Sequence, residues 1–203
     1  MLTEPLEADA APEGESDAAV VRGSLSRPER FAAVFDRHSD EIYRYVARRL
    51  GPETAEDVVA ETFLTAFRKR GGYDLDRPDA RPWLYGIATN LVRAHRRAEV
   101  RRNRALARGH DPATAESFDE RSVARLTAER LQPRLAAALN RLSAGERDLL
   151  MLIAWADLTY EEAAHALGVP VGTVRSRLHR VRTKVRRALG GVDPMTTNEE
   201  SLA

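Results

Sequence analysis

Apolar residues return at three- and four-residue steps through most of this chain, and that spacing predicts helices. Phe31, Val34, Phe35, Ile42, Tyr45, Val46 and Leu50 mark an amphipathic helix that begins after Pro28 and is ended by Gly51 and Pro52. Val58, Val59, Thr62, Phe63, Ala66 and Phe67 share one face of a second helix, closed by Gly71 and Gly72. Tyr73 to Pro82 reads as a loop punctuated by Pro78 and Pro82. A third helix turns Trp83, Leu84, Ile87, Ala88, Leu91 and Val92 inward and runs on into an arginine-rich stretch. Ser143 with Glu146, and Thr159 with Glu162, form two S/T-x-x-E capping boxes ahead of apolar runs, which sets helix starts near 144 and 160. No strand-like alternation of any length appears, and no fixed-period repeat. The expected fold is all-α.

Two units are expected within it. Nine aromatic residues lie between Phe31 and Tyr85, so a compact helical domain is placed at 27–104. Residues 105–130 are polar, with Gly109 and Pro112, and read as a flexible linker to a second domain at 131–189. Residues 1–26 are rich in Ala, Glu, Asp, Pro and Ser and read as a disordered acidic tail, as do residues 190–203 as a disordered end.

With 203 residues and 43% hydrophobic content, the chain suits a soluble folded protein of one or two small domains. It has no cysteine, which excludes a disulfide scaffold, a thiolate zinc site and a cysteine nucleophile. The longest apolar run, Leu149 to Ala156, is far short of a membrane span. The acidic start lacks the basic, then apolar, order of a secretory signal, so a cytoplasmic location is expected.

Charge changes the picture through its distribution. The formal net charge is only +1, yet residues 93–108 hold seven arginines and one acid. Residues 171–189 hold seven bases and no acid. Two separate basic helical stretches in a near-neutral chain point to a nucleic-acid partner. A GC-rich genome accounts for most of the preference for arginine over lysine, beside the functional reading of bidentate phosphate and guanine contact; the clustering is what carries function.

Thr159 to Leu189 is the sharpest local signal. A short helix ends at Leu167, Gly168 supplies a tight turn, and Pro170 suits the first turn of the next helix. Val171, Val174, Leu178, Val181 and Val185 then form one stripe, and every base falls off it. This is the sequence form of a helix-turn-helix, whose second helix lies in the major groove and presents its early residues to base edges. Arg175, Ser176, His179 and Arg180 project from those early turns as candidates for base contact. Arg182, Lys184, Arg186 and Arg187 come later and suit phosphate anchoring or solvated charge.

The stretch from Thr159 to Arg177 resembles the promoter-reading region of the extracytoplasmic-function (ECF) group of bacterial RNA polymerase sigma factors. Ala55 to Arg70 resembles that group's helix for docking on core polymerase, with its Asp-x-x-x-Glu-x-Phe pattern at Asp57, Glu61 and Phe63. Pro82 to Arg97 resembles its −10 helix, with the Trp-Leu-Tyr-x-Ile-Ala-x-Asn pattern from Trp83 to Asn90. The resemblance covers roughly residues 28–189.

It implies a promoter-specificity subunit whose partners are core RNA polymerase, promoter DNA and an anti-sigma factor. Asp57 and Glu61, one turn apart, would form an acidic ridge toward polymerase, with Phe63 beside them. Asn90 would read a base of the melted −10 strand, with Arg93, Arg96 and Arg97 holding its backbone. Thr173, Arg175, Ser176, His179 and Arg180 would face the −35 duplex, with Tyr160 and Glu161 near the backbone. Trp83 lies on the apolar stripe and suits the core better than base stacking.

No cofactor, metal or small-molecule substrate is expected. The chain has no G-x-x-x-x-G-K-[ST] loop, H-E-x-x-H or G-x-S-x-G motif, and its five histidines lack ligand spacing. Two alternatives use part of the same pattern. A conventional helix-turn-helix regulator has no need of the Asp57 and Trp83 motifs. A sigma-mimicking protein that sequesters an anti-sigma factor has no need of Asn90, Arg175 and both basic stretches.

Overall fold

A computed structural model describes residues 14–107 and 138–188. Seven helices carry the architecture among these residues, and no strand occurs. They are α1 (Asp17–Ser24), α2 (Ala32–Leu50), α3 (Pro52–Lys69), α4 (Arg81–Ala107), α5 (Ala144–Ala154), α6 (Tyr160–Leu167) and α7 (Val171–Ala188). Short 3₁₀ turns at Pro28–Phe31 and Arg70–Gly72 precede α2 and follow α3.

The first unit is a bundle of α2, α3 and α4. Gly51, with φ 86°, makes the corner between α2 and α3, and Pro52 opens α3 where no intrahelical N–H is needed. Val34, Ile42, Val46, Ala55, Leu84, Ala88 and Val92 fill the centre. Ring pairs Phe31–Phe67, at 5.5 Å, and Tyr45–Tyr85, at 5.1 Å, lock neighbouring helices edge to face. Trp83 packs against Tyr73 at 4.9 Å, in agreement with a core role.

The N-terminal segment corrects the sequence expectation. Residues through Ser26 read as a disordered tail, but Asp17–Ser24 is a helix with Val20 and Val21 fully buried. Ser16 caps it by accepting from the Ala19 N–H. Asp17 is the anchor: it accepts from Arg37 at 2.9 Å, His38 Nε2 at 2.8 Å and the Ala80 N–H at 2.9 Å. An eight-residue helix is too short to hold itself in water, so these tertiary contacts account for its presence. Residues 1–13 of the expected tail lie outside the described residues, as do 108–137 and 189–203.

Both capping boxes form as read. Ser143 and Glu146 close α5, and Thr159 and Glu162 close α6, each with reciprocal hydrogen bonds. Glu146 also accepts from Lys184 Nζ at 2.7 Å, which ties α5 to α7. Burial alone would raise the Glu146 carboxyl, but Lys184 and the Ser143 contacts outweigh it and hold its pKa below the ordinary value. Helix α4 extends three residues past the expected end of the first domain at 104, through Ala107.

The two units pack on each other. One apolar cluster runs from Val34 and Leu84 in the first to Leu149, Leu152, Val174 and Leu178 in the second. A smaller cluster of Ala138, Leu142, Leu150, Val181 and Val185 sits at the far side of the second unit.

Candidate nucleic-acid interface

The helix-turn-helix is built by its turn. Gly168 adopts the left-handed conformation, φ 62° and ψ 38°, and the Val169 N–H returns to the Ala164 carbonyl at 3.0 Å. Pro170 stands just before α7 rather than inside it, and its carbonyl accepts from the Thr173 N–H at 2.9 Å. Val174, Leu178, Val181 and Val185 are buried and fix the rotation of α7. That rotation leaves Arg175, Ser176, His179 and Arg180 exposed and Thr173 half-buried, so the five form one outward surface on the early turns.

Tyr160 and Glu161 join it across the turn. Arg175 reaches Glu161 at 3.5 Å, and Arg182 reaches the Tyr160 hydroxyl at 3.5 Å. Both contacts are exposed and long, so they restrain the arginines weakly.

Helix α4 carries the second cationic surface. At about 100° per residue, Gly86, Asn90, Arg93 and Arg97 fall on one side of this helix. Asn90 and Arg97 are exposed, and Arg93 is partly covered. Arg96 lies on a different side and donates to the Arg49 carbonyl at 2.7 Å, so it braces α4 against α2. The structure thus brings Asn90, Arg93 and Arg97 together and sets Arg96 apart from them.

A third surface lies on α3. Asp57 and Glu61 are exposed, one turn apart. Phe63 is buried and lies 4.9 Å, edge to face, from Phe35 of α2. It supports that surface from below. Phe35 departs from the sequence reading: it falls in the apolar pattern of its helix yet is 44% exposed, packed on Phe63, while Leu64, one turn from Glu61 on α3, is 42% exposed.

Sequence reasoning also missed two buried charge clusters. Asp148 is 1% exposed and lies between two guanidiniums, Arg49 Nη2 and Arg93 Nε. Arg49 is itself buried and donates to the Tyr45 hydroxyl at 2.6 Å. Burial would lower the Arg49 pKa, but Tyr45 and Asp148 outweigh it and keep the guanidinium firmly charged. The second cluster centres on His38, whose Nε2 meets Asp17 and whose Nδ1 meets Glu41 at 2.7 Å. Glu41 in turn accepts from Arg81 Nε at 3.0 Å and from the Tyr85 hydroxyl at 3.2 Å.

Asp17, His38 and Asp79 bring donor atoms within 4.8 Å of one another, the one such three-residue group among the described residues. Two of its members are committed elsewhere: His38 uses both nitrogens on carboxylates, and Asp17 already accepts from Arg37, His38 and Ala80. The group is an ion-pair cluster that fastens α1. No helix among the described residues is long and apolar enough to cross a membrane.

Comparison with known proteins adds identity to this geometry. The profile for sigma-70 region 2 matches residues 34–102, and that for sigma-70 region 4 matches 133–185. The ECF RNA polymerase sigma factor SigL of Mycobacterium tuberculosis is 33% identical over 86% of this chain and 94% of its own length. ECF RNA polymerase sigma factor SigE of Mycolicibacterium smegmatis is 36% identical over 74% of this chain, a match that spans 58% of SigE. RNA polymerase sigma factor CnrH of Cupriavidus metallidurans is 31% identical, over 88% of this chain and 96% of CnrH. A solved structure of CnrH in complex with the cytosolic domain of CnrY aligns with a TM-score of 0.58 at 27% identity, covering 86% and 97% of the two chains. Two profiles in order along one chain, with SigL and CnrH matched over nearly their whole length, show that it belongs to the sigma-70 family of RNA polymerase sigma factors, in the ECF group.

Proposed function

We propose that this chain is the promoter-specificity subunit of an RNA polymerase, with a distinct task for each of its three surfaces. The observation that carries the reading is the pair of cationic faces on α4 and α7: a buried stripe turns Arg175, Ser176, His179 and Arg180 outward on α7, and on α4 Asn90 and Arg97 are exposed beside a partly covered Arg93. The acidic ridge of Asp57 and Glu61, continued by exposed Leu64 one turn along α3, docks on core polymerase. Asn90 offers a donor and an acceptor to an unpaired −10 base, and Arg93 and Arg97 neutralise the strand's phosphates. Arg96 acts through α2, as a brace for that helix.

On α7, Arg175, Ser176, His179 and Arg180 meet base edges of the −35 duplex, with Thr173 at the helix entry. Tyr160 and Glu161 hold Arg182 and Arg175 near their working positions until DNA replaces those weak contacts. The chain contributes binding and placement, and bond chemistry belongs to the polymerase, so it has no catalytic residues and needs no cofactor. Its work is cytoplasmic, where chromosome and polymerase are. CnrH was solved in complex with the cytosolic domain of CnrY; for this chain the motif resemblance makes an anti-sigma factor the protein partner to expect.

Run-off transcription with purified core polymerase on a randomised promoter library tests the reading. Transcripts should start at a fixed distance from paired −35 and −10 motifs. Failure to form a holoenzyme, or initiation indifferent to sequence, would sink it. Two variants locate the surfaces. Arg175→Ala should cost about 1–3 kcal/mol at one −35 position and relax preference there, read as a change in the selected motif. Asp57→Ala with Glu61→Ala should weaken core binding at least several-fold at unchanged helicity; equal affinity would move the docking face elsewhere.

A further inference from the structure

The face of α4 that carries Asn90, Arg93 and Arg97 also carries Gly86, and Gly86 is where the second unit closes on the first. A Cβ at Gly86 would stand 2.6 Å from the Ala166 carbonyl oxygen of α6 and 3.3 Å from its Cα. That contact is backbone, so it cannot swing aside. One turn or two further along, Asp148 of α5 reaches across to Arg93 and to the neighbouring Arg49. Arg81 donates to the Ala156 carbonyl at 2.8 Å, and Arg48 lies 5.4 Å over the Trp155 ring, which completes the seam.

A carboxylate between two guanidiniums presents the same charge and paired acceptor oxygens as a backbone phosphate. We propose that Arg49 and Arg93 form a single anion seat, filled by Asp148 in the free chain and by a phosphate of the unpaired DNA strand in the working one. Closure of the second unit and capture of the strand then exclude each other. The inference rests on the reading of α4 given above and adds Arg49, which is buried in the closed arrangement, to the strand-binding set.

Gly86→Ala is a wedge that leaves both units intact, because alanine favours the α4 helix while its methyl denies the approach of α6. Asp148→Asn keeps the shape of the seal and removes its charge. Full-length wild type and each variant are compared by small-angle scattering and by anisotropy of a labelled oligothymidine of about 20 nucleotides at one fixed salt concentration. Both variants should have a larger radius of gyration and bind the oligonucleotide about tenfold more tightly, the size of one charge-assisted contact released. Adding Arg49→Gln to Gly86→Ala should take that gain away.

Expansion without a gain in affinity would overturn the seat, as would a gain that Arg49→Gln leaves untouched. Unchanged dimensions in Gly86→Ala at full helicity would overturn the closure. If holoenzyme forms and initiates at specific sites while wild type and Gly86→Ala bind the strand equally, only this inference falls. If no variant binds the strand and none forms holoenzyme, the function proposed above falls with it.

Discussion

Raising the pH from 6 to 10 is expected to cost the free protein on the order of 3 kcal/mol of folding stability through one side chain, His38. Burial by itself lowers the pKa of this imidazole, but hydrogen bonds to Asp17 and Glu41 and the charges of both outweigh it, raising the value from 6.5 to about 9. The folded state therefore holds the proton more tightly than the unfolded one. His38 contributes fully below its unfolded value, near 6.5, and the contribution fades as pH climbs through about 9. Asp17 works in the opposite direction. Burial would raise it, but His38, the Ala80 N–H and Arg37 bring it down from 3.8 to about 2. Its contribution is complete above the ordinary value and disappears as pH falls toward 2. Both are complete between about pH 4 and pH 6.5, so the urea midpoint should plateau there and decline on the alkaline side. His38→Gln should lower the plateau and flatten the alkaline decline. A wild-type midpoint that stays level from pH 6 to pH 10 would show that His38 does not hold α1 through its proton.

Leu178→Ala is expected to destabilise the protein by roughly 2–5 kcal/mol. Leu178 is 2% exposed and belongs to the core that joins α7 to the rest of the protein. Truncation removes transfer free energy and leaves a cavity that rigid helices close only in part. The outward residues stay chemically untouched, so any loss of −35 recognition here reports the loss of a platform. Arg175→Ala gives the converse: an exposed arginine with one weak contact should change stability by no more than about 0.5 kcal/mol while altering sequence preference. Urea denaturation and promoter selection on the same two variants separate the roles. Equal stability of Leu178→Ala and wild type would mean that the inner face of α7 is not packed as described.

Features set by neighbours along the chain are legible in the residues themselves. Ser143 and Thr159 signal helix starts through partners three residues away, and both boxes form. Gly168 and the Val174, Leu178, Val181 and Val185 stripe set the turn and the outward face of α7 by local rules alone. Features set by distant partners are not legible in this way. Helix α1 is only eight residues long, too short to show a helical period, and its anchor is an ion pair to a histidine 21 residues further along. The Arg49–Asp148 contact spans 99 residues, and an aspartate at the edge of an apolar run gives no hint of where its partner lies. Phe63 shows a motif position and a packing position coinciding: periodicity places it on the inner face, and it is buried there. Gly86 leaves one faint sign, a glycine in mid-helix where alanine is more stable, which is the mark of a close approach. Asn90, Arg97, Arg175, Ser176, His179 and Arg180 are exposed, as contact with DNA requires, and Arg175→Ala tests the α7 part of that reading.

The apolar cluster that passes without a break from Val34 to Leu178 also sets how the molecule comes apart when heated. Two family regions sharing one interior should melt together, so calorimetry of the free chain should give a single transition with matching calorimetric and van't Hoff enthalpies. Once the halves are prised apart, each keeps only its own share of that interior, and the single endotherm should split into two.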